Sequence, residues 1–232
     1  MTNVIPCSII IPVLNEERAL PATLEALQPW RQAGHEVILV DGGSNDSSMS
    51  ISRPLVDHSL QSECGRALQM NHGAAHAQND WLLFLHADTL LPISAKASLQ
   101  AVFDETRSVW GHFDIRLSGR SRLLAVIAWF MNKRSRLTGI ATGDQAMFVR
   151  KTDFERLGGF PKIALMEDIT LSSQLKCLAM PSCLADTVTS SGRRWEDNGI
   201  IRTVLKMWRL RFCYFLGAKP DSLAKAYRRE TG

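Results

Sequence analysis

Polar and acidic side chains gather in this chain where apolar runs stop. The run at residues 81–85 passes directly into His86-Ala87-Asp88-Thr89. If the run is a strand, Asp88 stands at the carboxyl edge of a sheet, where open α/β sheets bind ligands. With an imidazole two residues before it, Asp88 is a candidate seat for a hard or borderline divalent cation. The plainer reading is an Asp that caps the following turn. Two other runs end in a similar way. Residues 8–11 lead into Pro12-Val13-Leu14-Asn15-Glu16-Glu17, and residues 36–40 into Asp41-Gly42-Gly43-Ser44. Three such endings argue for a shared site more strongly than any one alone. His72 and His76, four apart, have a chelating spacing. No third ligand lies near them in sequence, so they read as surface histidines.

These runs need a scaffold that brings their ends to one edge. Apart from the opening Ser8 and Glu36, segments 8–11, 36–40 and 81–85 are continuously apolar, as strands covered on both faces are. Between them, 18–28 has helical spacing through Leu20, Leu24 and Leu27, and 64–77 and then 93–103 read as further helices. A β-α-β order implies a mostly parallel, doubly wound, Rossmann-like sheet with helices on both faces. Its crossovers are right-handed. The second half is less regular: 109–117 and 145–149 alternate enough to be strands, and 167–179 and 199–216 read as helices. Glu167 and Asp168 open the first of these helices, where acids favour the helix dipole. There is no repeat, low-complexity segment or linker, so residues 1–232 read as one domain with two functional halves.

Composition narrows the classes. A length of 232 residues with 45% hydrophobic content suffices for a core that stands alone. A net charge of +4 suits an anionic substrate or membrane surface. No basic run interleaved with aromatics points to nucleic acid. The five cysteines are scattered without a CxxC pair and read as buried thiols of a reducing compartment. No GxGxxG or GxxxxGK[ST] loop follows the first run, which counts against a dehydrogenase and a P-loop hydrolase. The N-terminus lacks a basic n-region, and no apolar segment reaches the roughly 18 to 20 residues that span a bilayer. A cytoplasmic protein is expected, at most lying on the inner face of the plasma membrane.

SIIIPVLNEE, VDGGSNDSS, GRALQMNHGAAHAQNDWLLFLHADTLLP, GDQAMFVRKTDFERLGGFP and LMEDITLSSQL follow one another. In this order they resemble family-2 glycosyltransferases of the GT-A fold, over nearly the whole chain. RLTG…GDQAMFVR, LMED…LS and the RRWE segment are similar to a bacterial subgroup, the arsenosugar-biosynthesis glycosyltransferases. The resemblance implies transfer of a sugar, with inversion, from a nucleotide-diphosphate donor. It makes residues of about 1–90 the donor-binding half and about 91–232 the acceptor-binding half. His86-Ala87-Asp88 occupies the place of the family's D-x-D motif, with Asp88 its last carboxylate and His86 in place of its first. A Mg²⁺ or Mn²⁺ ion there would neutralise charge on the leaving diphosphate, and the imidazole biases the choice towards Mn²⁺. Pro12, Asn15 and Glu16 would line the nucleoside pocket, together with Ala87. Asp41 matches a nucleotide-binding aspartate, but Gly42 replaces the second carboxylate of that pair, so the base does not carry over. Arg66 matches a basic position near the donor. Asp168 matches the catalytic base, beside Glu167. Gly143-Asp144-Gln145 matches a turn that approaches the transferred sugar and acceptor. Arg193-Arg194-Trp195 resembles a Q-x-x-R-W segment without its Gln, with arginines suited to phosphate. Trp195 is suited to stacking on a sugar or to capping the core edge.

Two rival classes stay open: a nucleotidyltransferase, which lacks its Gly-rich loop here, and a catalytically silent sugar-nucleotide-binding or scaffold protein at a membrane. The acceptor is unidentified, an arsenosugar precursor or a lipid-like molecule. The apolar run 123–131, bracketed by Arg120, Arg122, Lys133, Arg134 and Arg136, suits anionic headgroups. So does the stripe Arg202, Lys206 and Arg209 beside Val204, Leu205, Trp208 and Phe212. The plainer account of both is a core helix with solvated ends, or a homo-oligomer contact.

Overall fold

In a computed structural model describing residues 4–229, the strand β1 (Cys7–Val13) sends Ile9 and Ile11 to one core and Ile10 to another, all fully buried. The same division recurs in β2 (Glu36–Asp41), with Val37 and Leu39 opposite Ile38 and Val40. It recurs again in β4 (Trp81–Phe84), with Leu83 opposite Leu82 and Phe84. This is why these segments are continuously apolar: both faces of the sheet are covered. On one face lie α1 (Leu20–Arg31), α4 (Ala95–Asp104) and α5 (Leu123–Thr138). The other face is covered by α3 (Arg66–His76), α6 (Lys151–Arg156) and α7 (Glu167–Leu178). The short α2 (Ser48–Ser52) follows β2, and β3 (His58–Gln61) follows it.

The remaining strands are β5 (Thr89–Leu90), β6 (Trp110–Ser118), β7 (Phe148–Arg150) and β8 (Ser182–Ser191). Their order in the sheet is β3-β2-β1-β4-β7-β6-β8-β5. The first four neighbours run parallel, with Ile10 facing both Ile38 and Phe84 in register. β7 then enters antiparallel between β4 and β6, and β8 lies parallel to β6. The parallel half is the expected Rossmann-like sheet.

Three details differ from expectation. Strand β7 begins at Phe148, because Gly143–Gln145 form a 3-10 turn before it. Strand β8 was unmarked in sequence: its outer part TVTSS is mostly polar and pairs along β6 through the backbone. Among the five free cysteines only Cys7 is buried, while Cys64 and Cys177 are exposed, so they are not the buried thiols expected. The chain closes through α8 (Arg193–Asp197), α9 (Ile200–Phe215) and α10 (Pro220–Arg229), with Met166, Leu210 and Leu223 forming a third small core. Among the described residues no helix is long and apolar enough to cross a membrane.

Candidate active site

The carboxyl ends of β1, β2 and β4 meet the starts of α3 and α7 at one edge of the sheet. After β1, Asn15 takes a left-handed backbone (φ 54°). Its N–H donates to Ser44 Oγ at 2.9 Å and its Oδ1 accepts the Asn45 N–H at 2.8 Å, which ties the β1 and β2 loops together. The Glu16 N–H donates to Ser48 Oγ at 2.9 Å. Asp41 is buried at the end of β2. Its carboxylate accepts the Gly43 and Ser44 N–H groups and the Ser44 hydroxyl, so it shapes its own loop. Gly42 has a packing reason. A Cβ there would lie 3.0 Å from the carboxamide of Gln69, which donates at 2.8 Å to both Val13 O and Val40 O across the ends of β1 and β2.

His86 and Asp88 follow β4. The intervening Ala87 is buried in the core and its carbonyl accepts the Thr23 hydroxyl at 2.7 Å. His86 Nε2 is shielded from solvent without a hydrogen-bond partner. Burial drives its pKa well below the ordinary value, helped by Arg66 and Arg194, so the ring is a neutral imidazole. A Cβ on Gly143 would sit 2.7 Å from that Nε2 and 3.7 Å from Asp168 Oδ2. Only glycine allows the approach. The turn 143–145 therefore wedges between His86 and Asp168.

Asp168 is held on both oxygens. Oδ2 accepts the Gly143 N–H at 2.8 Å and Oδ1 accepts the Ile169 N–H at 2.7 Å. Beside it, Glu167 is buried and lies 3.7 Å from Arg66 Nη1 at the start of α3. Burial and the Asp168 charge raise the Glu167 pKa, and Arg66 opposes them. Asp144 is raised as well, by burial first and by Asp168. Glu16 is raised by burial and by Asp88, against Arg193 and Arg194, so these four groups share one field. Backbone strain is concentrated here. The non-glycine residues with positive φ among those described are Asn15, Ala146 and Met166, in the β1 loop, after the 143–145 turn and just before α7.

Not every expected residue faces this centre. The buried side chain of Gln145 turns inward and donates to Ser135 Oγ at 2.9 Å. With Thr142 it closes a capping box, so it anchors the turn. Trp195 is half-buried and packs against the main core. Arg193 and Arg194 are exposed on α8, with Arg194 Nη1 donating to the Tyr227 hydroxyl at 3.1 Å. One residue had no sequence signal as part of the site. Arg134, in the last turns of α5, has Nε and Nη2 shielded without partners. Burial lowers its pKa, and the charges of Asp144 and Asp168 act against that.

The fold has solved counterparts. The chain resembles S. aureus TarS, with TM-score 0.65, 19% identity and coverage of 82% of this chain and 61% of that one. It also resembles a mannosyltransferase from Pyrobaculum calidifontis crystallised with GDP-Man and Mn2+, with TM-score 0.60, 20% identity and coverage of 82% and 57%. These likenesses establish the GT-A fold. Residues 8–157 match the family described as glycosyl transferase family 2, and the chain belongs to that family. An uncharacterized glycosyltransferase of Mycobacterium tuberculosis is 28% identical over 99% of this chain and 93% of its own length. A PGL/p-HBAD biosynthesis glycosyltransferase of Mycobacterium bovis is 38% identical over 91 residues, a stretch that spans only 36% of each protein.

Proposed function

We propose that the chain is an inverting glycosyltransferase that moves a sugar from a nucleotide-diphosphate sugar to an acceptor hydroxyl, with Asp168 as general base. The seat of Asp168 carries this reading. Backbone N–H groups from α7 and from the Gly143 turn fix both its oxygens across from His86. An attacking hydroxyl needs such a fixed proton acceptor. As the acceptor oxygen bonds to the anomeric carbon, its proton passes to Asp168. The bond from that carbon to the diphosphate breaks, and its electron pair leaves with the diphosphate. Glu167, tied to Arg66, holds the start of α7 beside the acceptor.

Residues of about 1–90 take the donor and those of about 91–232 the acceptor. Pro12, Asn15, Glu16 and Ala87 line the nucleoside side, with the loop that Asp41 shapes. Arg66, Arg193 and Arg194 offer guanidinium groups to the diphosphate. The solved TarS complexes with UDP and UDP-GlcNAc and the mannosyltransferase complex with GDP-Man support a nucleotide-sugar donor.

The residues at the end of β4 fit a divalent cation. Among the described residues no group of three or more His, Cys, Asp and Glu is placed to hold an ion. One carboxylate, Asp88, and one neutral imidazole with an unpartnered Nε2 suit a cation that takes its other ligands from phosphate oxygens and water. Asp88 and His86 would hold Mg²⁺ or Mn²⁺ there, and the ion would supply positive charge to the departing diphosphate. Two acceptors remain in play. An arsenosugar precursor is supported only by the RLTG, LMED and RRWE segments, whereas the matched mycobacterial relative is named for PGL/p-HBAD biosynthesis.

Thermal unfolding against a panel of nucleotide sugars, with and without Mn²⁺, tests the donor. A ligand that binds only the native state raises the melting temperature. A Mn²⁺-dependent rise with one nucleoside diphosphate series is expected, and no rise with any of them removes the reading.

A further inference from the structure

An apolar stripe runs the length of α9 on its solvent side. Ile201, Leu205, Trp208, Phe212 and Phe215 recur at steps of four and three residues, which places them on one face of a helix. Trp208 is 66% exposed and Phe215 87%. The opposite face is accounted for, because Leu210 packs into the third core with Met166 and Leu223. Helix α5 repeats the arrangement. Leu124 and Ala128 are buried against the sheet, while Val126, Trp129 and Phe130 face outward, each about half exposed. The two helices start beside each other, since Arg120 and Leu123 line one cleft with Ile200, Ile201 and Arg202. Exposed apolar stripes that adjoin at the cleft of Leu123 and Ile201 mark an interaction face.

We propose that this face of α5 and α9 docks on an anionic lipid surface. Charge selects the occupant. Neither helix contains an Asp or Glu, while Lys133 on α5 and Arg202 and Arg209 on α9 are exposed, with the exposed Arg120 and Arg122 just before α5. Two copies meeting through this face would set basic against basic, whereas anionic headgroups complement it. The acids of the cleft are Glu196 and Asp197. Glu196 is engaged, accepting the Arg120 N–H at 2.7 Å and the Ser121 N–H at 3.0 Å. At 16 residues α9 is about 24 Å long, shorter than the roughly 30 Å hydrocarbon layer, so it lies along the surface. Its exposed aromatic rings are of the type that settles at headgroup level. Docking does not depend on the transfer reaction, although α5 carries Arg134 into the candidate site and α8 leads from Arg193 and Arg194 into α9.

The test is flotation of the full chain with vesicles of phosphatidylcholine alone or of phosphatidylcholine with phosphatidylglycerol. Binding about tenfold stronger to the anionic vesicles, and weakened by salt, is expected. The Trp208→Ser/Phe212→Ser double variant should lose that binding about tenfold while keeping the wild-type circular dichroism spectrum. R202E, which leaves the apolar stripe intact, should weaken binding to anionic vesicles several-fold. Equal binding to both vesicle types, or a double variant that floats like the wild type, overturns the proposal. So does a wild-type dimer in solution that the double variant converts to a monomer, because the face then belongs to a second copy.

Discussion

Asp168 is fixed by two backbone N–H donors. Asp168→Asn keeps the size of the side chain and one of the two N–H contacts but cannot take a proton. We expect turnover to fall roughly 100- to 10,000-fold with donor affinity nearly unchanged. Glu167→Gln should lose much less, and steady-state rates measured beside donor binding compare the two. A near wild-type rate for Asp168→Asn would pass the role of base to Asp144. Asp88→Ala should weaken the binding of a nucleoside diphosphate in Mn²⁺ without unfolding the chain, as calorimetric titration would read. If His86 also ligates, His86→Ala should weaken Mn²⁺ more than Mg²⁺. Equal loss for both ions leaves His86 as a neutral wall of the site. Arg134 supplies a further test through pH. Its charge opposes the upward shift that burial imposes on Asp144. Arg134→Met should therefore push the ionisation of Asp144 to still higher pH, as an NMR titration of that carboxyl would read. An Asp144 titration that stays in place takes Arg134 out of the charge balance.

The elements explain what could be read from sequence and what could not. β1, β2 and β4 declare themselves because both their faces are covered, which confines polar residues such as Ser8, Glu36 and Asp41 to the strand ends. Strand β8 does not, because its outer residues are polar and its pairing with β6 is held by the backbone. The polar strand ends located one edge of the site. The contact of Gly143 with Asp168 joins residues far apart in sequence, and no local spacing encodes it. The same holds for Arg134, which reads as the basic end of an apolar helix. The buried capping-box role of Gln145 was not legible either, because a capping-box residue and a ligand-facing one look alike in a turn. Among the elements, α3 holds the ends of β1 and β2 together through the Gln69 carboxamide. Gln69→Leu would take one donor from each of two carbonyls, although Val13 O keeps the Gly42 N–H. It should cost about 1 to 3 kcal/mol of stability in urea unfolding, with a secondary loss of donor affinity as the two loops relax.

At the scale of the whole molecule, pH acts on stability through His35. This histidine is buried next to Trp30, and its Nδ1 accepts the Cys7 N–H at 3.1 Å. Burial and then Lys96 push its pKa down from 6.5 to about 4. The native chain thus binds fewer protons than the unfolded one between those values. The contribution is fully present above pH 6.5 and is lost as pH falls towards 4, up to about 3 kcal/mol. Urea unfolding across that range should show the fall, and His35→Gln, which can still accept the Cys7 N–H, should flatten it. The position of β7 has another consequence, one of timing. As the chain leaves the ribosome, β4 pairs with β1 early, but its other neighbour, Phe148–Arg150, is made only after β5, α4, β6 and α5. Until then the far side of β4 is a bare apolar edge, the kind that recruits strands from other chains. Nascent chains halted before residue 148 should be the aggregation-prone ones, and those that carry α6 should not.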